Sequence, residues 1–141
     1  MVNVKFKKLD KNARLPEFAH EGDGGFDIFT NKKTKIKSGE FSVVPTGISS
    51  EFPKGFFVSI RDKSGLAAKF GIQVLGGVID CGYRGEWGII IKNSGKDDYT
   101  FEQGDKVAQG IVQRLENVNI SEAKSLNKTL RGKKGFGSTG K

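Results

Sequence analysis

The chain has 141 residues, of which 28% are charged, and a formal net charge of +8; this size and composition are typical of one soluble globular domain. The single cysteine, Cys81, excludes an internal disulfide framework and fits a reducing compartment, so we expect a cytoplasmic protein. No apolar run approaches the roughly 20 residues that span a bilayer. Residues 1–12 lack the apolar core of a signal peptide, and we expect no membrane partner.

Short β-strands, rich in Val, Ile and Phe and bounded by turn residues, are predicted along most of the chain. In chain order they cover residues 2–9, 26–30, 41–44, 47–52, 55–60, 86–93 and 107–115. One short helix is predicted over residues 64–71. Many short strands with almost no helix indicate an all-β sandwich or barrel. We expect a β domain over residues 1–123 and a mobile arm over residues 124–141, where the strand pattern is lost.

Two glycine-containing stretches in the first half of the chain combine a turn with polar groups. In GDGGFDIFT, residues 22–30, Asp27 could face a metal ion or its water shell, although a turn before a strand is the simpler interpretation. In RDKSGLAAKFGI, residues 61–72, Ser64 is a candidate N-cap of the short helix. The amides of the first helical turn would then form an anion site, with Lys63 adding charge, unless Ser64 only caps the helix.

Three further stretches occupy the second half. In GGVIDCGYRGEWGIIIKN, residues 76–93, we expect a hairpin whose Asp80 could act as a general base. In EQGDKVAQGIVQ, residues 102–113, Gln109 is an unexpected amide in a strand pattern. The C-terminal RGKKGFGSTG, residues 131–140, holds one aromatic residue, Phe136, between glycines, which indicates a segment that closes over an aromatic ligand. Each stretch alone is also compatible with an ordinary turn or a solvated strand.

Taken together and in this order, the five stretches resemble the five motifs of the trimeric dUTPase family. The matching segments are GGFDI, KSGLA, GVIDCGYRGE, GDKVAQ and RGKKGFGSTG, and the resemblance runs from about residue 15 to the end. It implies a jelly-roll-like β-barrel and a homotrimer with active sites at the subunit interfaces. It also implies hydrolysis of dUTP to dUMP and pyrophosphate with Mg²⁺, which lowers dUTP and supplies dUMP for dTMP synthesis.

The resemblance assigns catalytic and phosphate-binding roles to individual residues. Asp80 would be the general base that activates water for attack on the α-phosphorus, and Asp27 would support the metal through its water shell. Charge neutralisation and positioning are the main requirements of phosphoryl transfer. The residues that would bind phosphate oxygens are Lys63, Ser64, Gly65 and Gln109.

The resemblance also assigns the recognition of uracil and deoxyribose. Backbone groups around Val78 and Ile79 would read uracil, and the ring of Tyr83 would pack on the deoxyribose and exclude a 2′-hydroxyl. In the C-terminal arm, Phe136 would stack on uracil and Arg131 would contact the terminal phosphates; stacking of a base on an aromatic ring contributes roughly 1–3 kcal/mol. The remaining arm residues assigned to substrate binding are Gly137, Ser138 and Thr139.

The sequence departs from the family pattern at the second and fifth motifs. Lys63 replaces an arginine, which keeps the charge but loses the bidentate fork, and Asp62 replaces the usual proline. In the arm, Lys133 and Lys134 stand where glycine or an apolar residue is often found. Asp80, Tyr83 and Phe136 are not affected.

Three alternative functions are weighed against this prediction. A dCTP deaminase has a related fold but lacks the Phe-Gly-Ser-Thr-Gly arm. A nucleic-acid-binding protein would cluster basic and aromatic residues on one face, whereas here the lysines are scattered, so no nucleic-acid partner is expected. A regulatory protein that keeps the nucleotide site as a sensor is not excluded by the sequence.

Overall fold

The computed structural model describes residues 1–135, in which short antiparallel strands predominate. The strands and the one helix are β1 Lys5–Lys8, β2 Phe26–Phe29, β3 Thr34–Ile36, β4 Phe41–Pro45, β5 Ile48–Glu51, β6 Phe56–Arg61, α1 Ser64–Phe70, β7 Ile72–Leu75, β8 Val78–Asp80, β9 Gly88–Asn93, β10 Tyr99–Phe101 and β11 Lys106–Arg114. The predicted all-β fold with one short helix is confirmed. Within residues 1–135, no helix has the length and apolar character needed to cross a membrane.

Four small antiparallel sheets surround one hydrophobic core. Their strand orders are β1-β5, β3-β10, β2-β11-β6-β8 and β4-β9-β7. β9 shows why such strands form, since its residues alternate between the core, which receives Ile89 and Ile91, and the other face. The largest fully buried side chains include Trp87, Phe29, Phe101, Ile28 and Ile36.

The sheet β2-β11-β6-β8 positions the residues of interest. Gln109 of β11 lies opposite Asp27 of β2 on one side and Arg61 of β6 on the other. On the far edge of β6, Asp80 lies opposite Phe57, near the start of that strand. The chain leaves the other end of β6 and enters α1, so two polar regions form at opposite ends of one strand.

The region of residues 76–93 differs from the predicted hairpin. Val78–Asp80 pairs with β6 and not with the strand that follows it. The later strand begins at Gly88 and pairs with β4 and β7. The prediction of a simple hairpin was therefore wrong, because the short apolar run completes the edge of a different sheet.

The start of the helix also differs from the prediction. α1 begins at Ser64, which places Lys63 at the N-cap position with an extended backbone and without a side-chain capping hydrogen bond. The predicted capping role of Ser64 was therefore wrong by one position. The helix ends at Gly71, whose left-handed backbone (φ 68°) allows its amide to bond back to Ala67 and Leu66.

The last strand ends at Arg114, and the chain from residue 115 to residue 135 is exposed and forms neither helix nor strand. The predicted domain boundary near residue 124 stays a prediction.

Candidate active site

A buried carboxylate, Asp27, lies in the middle of β2 between apolar neighbours. The residue is only 3% exposed, and its carboxylate is contacted by two lysines from different elements. Lys63, which precedes α1, pairs with Oδ1, and Lys106 Nζ at the start of β11 lies 2.7 Å from Oδ2. The cluster connects the elements that carry three of the five sequence motifs, and it compensates the charge that β2 buries.

The electrostatic environment keeps Asp27 ionised. Burial by itself raises the pKa of this carboxyl, but the ammonium groups of Lys106 and Lys63 lower it more, so the pKa lies below its ordinary value of 3.8. The side chain is only 4% exposed and a lysine ammonium lies near each oxygen, but the contact with Lys106 leaves the buried Oδ2 without a hydrogen-bond partner in the described part of the chain. The predicted support of a magnesium ion by Asp27 therefore stays a prediction.

A polar cavity lies beside this cluster, where β6 gives way to α1. Its volume is about 420 Å³, and it is lined by Ile60, Arg61, Asp62, Val74, Gln109 and Ile111. Gln109 Nε2 donates a hydrogen bond to the Asp62 carbonyl at 2.9 Å. The Asp62 carboxylate in turn accepts a hydrogen bond from the backbone amide of Val74 at 2.6 Å. The turn before α1 is thereby tied to both β11 and β7.

Ser64 and Gly65 are exposed at the first turn of α1, next to this cavity. Backbone amides in the first turn of a helix have no partner within the helix and carry partial positive charge. The structure therefore brings the predicted phosphate-binding residues Ser64, Gly65 and Gln109 to the same end of β6. Lys63 is also there, but its ammonium faces Asp27.

A second, smaller pocket lies at the other end of β6. Its volume is about 200 Å³, and it is lined by Val78, Ile79, Asp80, Tyr83, Glu86 and Gly88. Asp80 is the last residue of β8 and is exposed. Its carbonyl accepts a hydrogen bond from the Tyr83 amide at 3.0 Å, which closes the turn that follows. The structure thus brings together the predicted general base, the predicted sugar-contacting ring and the predicted uracil-reading backbone.

The two regions are far apart within one chain. Asp80 lies opposite Phe57, and Lys63 lies six positions further along the chain, two of them beyond the end of β6 at Arg61. At about 3.3 Å per residue of strand, the distance along β6 from Phe57 to Arg61 is about 13 Å. Asp80 and Ser64 of one chain therefore lie in separate regions.

Comparison with known proteins shows the family of the chain. The family model described as dUTPase matches residues 11–140. The chain belongs to the dUTPase family. Proteins called deoxyuridine 5'-triphosphate nucleotidohydrolase from Clostridium tetani and Clostridium acetobutylicum are 46% and 47% identical to it, over 98% and 99% of this chain and 97% and 98% of theirs. The prediction of a dUTP diphosphatase of this family is confirmed.

The fold comparison agrees with the sequence comparison. A structure of the dUTPase of Staphylococcus bacteriophage 80alpha with dUpNHpp superimposes with a TM-score of 0.89, at 28% identity, covering 98% of each chain. The predicted dUTPase-like, jelly-roll-like fold is confirmed by this likeness.

Within this member of the dUTPase family, the predicted site residues of the C-terminal arm are only partly described. The hydrogen bonds of Arg131 lie within a local turn, where Nε donates to the Lys134 carbonyl at 3.2 Å. Phe136, Gly137, Ser138 and Thr139 lie outside the described residues.

Three residues with structural roles at the site were missed by the sequence analysis. Lys106 was quoted within GDKVAQ, but nothing in that motif indicated a contact with Asp27. Asp62 was noted only as a departure from the family pattern, although it ties the turn to β7. Glu86 lines the smaller pocket and accepts a hydrogen bond from the Gly47 amide at 2.7 Å. No local sequence signal identified this long-range contact.

Proposed function

We propose that the chain hydrolyses dUTP to dUMP and pyrophosphate, which lowers dUTP and supplies dUMP for dTMP synthesis. The observation that supports this most strongly is the pocket in which Asp80 and Tyr83 lie together with the backbone of Val78–Asp80. It combines a carboxylate, an aromatic ring and strand backbone groups in a space of about 200 Å³. In a member of the dUTPase family, this combination fits a nucleoside bound next to a general base.

In the proposed reaction, the Asp80 carboxylate accepts a proton from a water molecule as the water oxygen attacks the α-phosphorus. The bond between the α-phosphorus and the oxygen that bridges to the β-phosphorus breaks, and pyrophosphate leaves with that oxygen. The first-turn amides at Ser64 and Gly65, the Gln109 amide and Arg131 would hold the charged oxygens. Donors fixed where charge develops are the main catalytic requirement of such a reaction.

Magnesium is best accounted for as part of the substrate, bound to the triphosphate of dUTP. Among residues 1–135 there is no group of three or more His, Cys, Asp or Glu residues that could hold a metal ion. Mg²⁺ commonly binds substrate phosphates and keeps several of its waters. When bound, it would neutralise part of the triphosphate charge. This proposal does not require Asp27, whose carboxylate lies beside the ammonium groups of Lys63 and Lys106.

Selectivity for dUTP is proposed to come from the smaller pocket. Backbone groups of Val78 and Ile79 would read the donors and acceptors of uracil, and the Tyr83 ring would occupy the space of a 2′-hydroxyl. A pocket built around specific hydrogen bonds can discriminate by about 10⁴–10⁵, because a wrong substrate leaves polar groups unpaired.

The separation of the two regions supports an active site shared between subunits of a homotrimer. The nucleoside pocket of one subunit would meet the phosphate-binding turn of a neighbour. An apolar face borders the pocket, since Val43 and Leu75 both lie opposite Ile90 across the sheet β4-β9-β7 and are 57% and 41% exposed. An unpartnered face of this kind fits a subunit contact.

The arm is proposed to complete the site. Residues 124–141 would close over the bound nucleotide, with Phe136 stacked on uracil and Arg131 near the terminal phosphates. Gly137, Ser138 and Thr139 would add phosphate contacts. The exposure of the chain from residue 115 to residue 135 is compatible with a segment that binds elsewhere than on its own domain.

Substrate selectivity is tested by pyrophosphate release from dUTP, dCTP, dTTP and UTP, each with Mg²⁺, with ammonia measured in parallel. The proposal predicts turnover of dUTP that exceeds that of the other three by orders of magnitude. Ammonia released from dCTP would assign the chain to the deaminases, and binding of dUTP without turnover would assign it to a sensor.

The sharing of sites is tested by mixing two inactive variants. Asp80→Asn lacks the general base and Gln109→Ala lacks a phosphate ligand, and each alone should be nearly inactive. If sites are built from two subunits, mixed trimers reassembled from both variants regain part of the wild-type activity, because some sites receive both intact halves. If activity does not return in mixed trimers, the sites are not shared in this way.

A further inference from the structure

The ring of Tyr83 folds back over the turn that follows β8, and its position depends on Gly85. The Tyr83 hydroxyl donates a hydrogen bond to the Glu86 carbonyl at 2.9 Å. Between these two residues the chain passes directly beneath the ring at Gly85. The ring is therefore held at the wall of the smaller pocket, which it lines together with Asp80.

The turn under the ring is itself anchored to the fold. The Glu86 carboxylate accepts a hydrogen bond from the Gly47 amide at 2.7 Å. The neighbouring Trp87 is fully buried and donates its backbone amide to the Ile48 carbonyl at 2.9 Å. Because the backbone below the ring is fixed at these points, a collision between the two would move the Tyr83 ring and not the backbone of the turn.

A side chain at residue 85 would collide with this ring. A Cβ atom built on Gly85 would lie 2.4 Å from Tyr83 Oη and 2.6 Å from Cζ. Among residues 1–135, Gly85 is not one of the glycines with a positive φ, so alanine is compatible with its backbone. Ordinary contact begins near 3.4 Å, so the ring would have to move by about 1 Å. The tip of an exposed side chain can make such a shift at little cost in stability.

We propose that Gly85 is a positioning residue for nucleotide selectivity. Because Gly85 has no side chain, the Tyr83 ring can lie close to the turn, and this position sets the distance between the ring and the sugar of a bound nucleotide. This inference rests on the proposed function, in which that ring excludes the 2′-hydroxyl of ribonucleotides. A displacement of about 1 Å at a reacting or discriminating group can cost up to about 10²-fold. Replacement of Gly85 should thus lower discrimination between dUTP and UTP while the fold stays intact.

The test compares Gly85→Ala with Gly82→Ala, a control in the same turn. A Cβ on Gly82 would meet no atom within 4 Å, and Gly82 also lacks a positive φ in the described chain. The ratio of kcat/KM for dUTP to that for UTP is measured for each variant, together with the melting temperature. We expect the ratio to fall by about 10- to 100-fold in Gly85→Ala and to stay within about twofold of wild type in Gly82→Ala.

A third and a fourth variant show whether Gly85 acts through the ring. In a Tyr83→Ala background, adding Gly85→Ala should change the ratio no further. Wild-type selectivity in a folded Gly85→Ala variant, or an equal loss with and without the ring, would overturn the inference. If Gly85→Ala does not fold, Tyr83→Phe is compared with the double variant Tyr83→Phe/Gly85→Ala: the atom nearest to the new Cβ is then absent, whereas Cζ would still lie 2.6 Å from it, and an equal ratio in the two would also overturn the inference. A wild-type protein that does not distinguish dUTP from UTP would instead refute the proposed function.

Discussion

Replacement of Asp27 by asparagine tests whether the buried cluster with Lys63 and Lys106 stabilises the fold. Asparagine keeps the shape of the side chain but leaves two ammonium groups beside a neutral amide. Surface ion pairs contribute about 0–1 kcal/mol, whereas removing one partner of a fully buried pair costs about 3–5 kcal/mol. Asp27 is buried, but the side chains of Lys63 and Lys106 remain 28% and 47% exposed and can turn to water.

We therefore expect Asp27→Asn to lower the free energy of unfolding by about 2 kcal/mol, between these limits. With an unfolding entropy of roughly 2.1 cal/mol/K per residue, this corresponds to a melting temperature lower by about 7 °C for a chain of this length. The assay is thermal and urea unfolding at one fixed protein concentration, because the stability of a protein that assembles depends on its concentration. Glu51→Gln is the control, because Glu51 pairs with Lys5 at 3.4 Å on the exposed surface and should change stability by less than about 0.5 kcal/mol.

The pH dependence of the free energy of unfolding gives a second test, because the pKa of Asp27 fixes the direction of the change. Because the pKa of Asp27 is lower in the folded protein than its ordinary value of 3.8, the unfolded chain takes up a proton first as the pH falls. The stabilisation is fully present above about pH 5 and is lost progressively as the pH falls through 3.8 and then through the lowered pKa. The difference in the free energy of unfolding between wild type and Asp27→Asn should therefore become smaller as the pH falls over that range.

Two results would refute this reasoning. If Asp27→Asn is as stable as wild type at pH 7, the ion cluster contributes nothing to the fold. If the variant is equally stable but needs much more Mg²⁺ for activity, the carboxylate supports the metal after all, as the sequence analysis predicted.

Further predictions concern catalysis, the arm and the sugar. Asp80→Asn should bind dUTP but lose at least about 10²–10⁴ of turnover, measured as pyrophosphate release; near-normal turnover would reject Asp80 as the base. Removal of residues 129–141 should depress turnover severely while circular dichroism shows an intact core, because the described part of this segment is exposed; full activity would exclude a closing arm. Tyr83→Ala should make UTP a better competitor in the dUTP assay, and unchanged discrimination would mean that the sugar is read elsewhere.

Strands in which apolar and polar residues clearly alternate could be predicted from the sequence, whereas strands of only three residues could not. β9 buries Ile89 and Ile91 and was recognised by its apolar pattern. β3 and β10 have three residues each and pair with each other, with Ile36 opposite Tyr99. Neither segment is long enough to show a strand pattern in its sequence. Each is a strand because it pairs with a segment that is distant in the chain.

The segment Val78–Asp80 shows a different limit. Its apolar character was recognised, but its partner was not, because strand pairing is decided by the packed sheet and not by adjacency in the sequence. It pairs with β6, where Val78 lies opposite Ser59. β7 was missed beside it, since Ile72–Leu75 directly follows α1 and the glycine that ends it.

At the candidate site, residue types and their order in the sequence identified the family, but not the contacts between motifs. Lys63 was interpreted as a phosphate ligand because of its place beside Ser64. The structure shows its ammonium on Asp27, which lies 36 positions earlier. A contact over that separation depends on the packing of β2 against β11 and β6, which no local motif reports. The phosphate-binding role of Lys63 therefore stays a prediction.

The measurement that tests the central claim most directly is hydrolysis of dUTP by the wild-type chain in ¹⁸O-labelled water, with mass analysis of both products. Attack of water on the α-phosphorus places one labelled oxygen in dUMP and none in pyrophosphate, and this is the result we predict. Label in pyrophosphate would place the attack on the β-phosphorus and contradict the proposed role of Asp80. The absence of dUMP altogether would contradict the proposed activity itself.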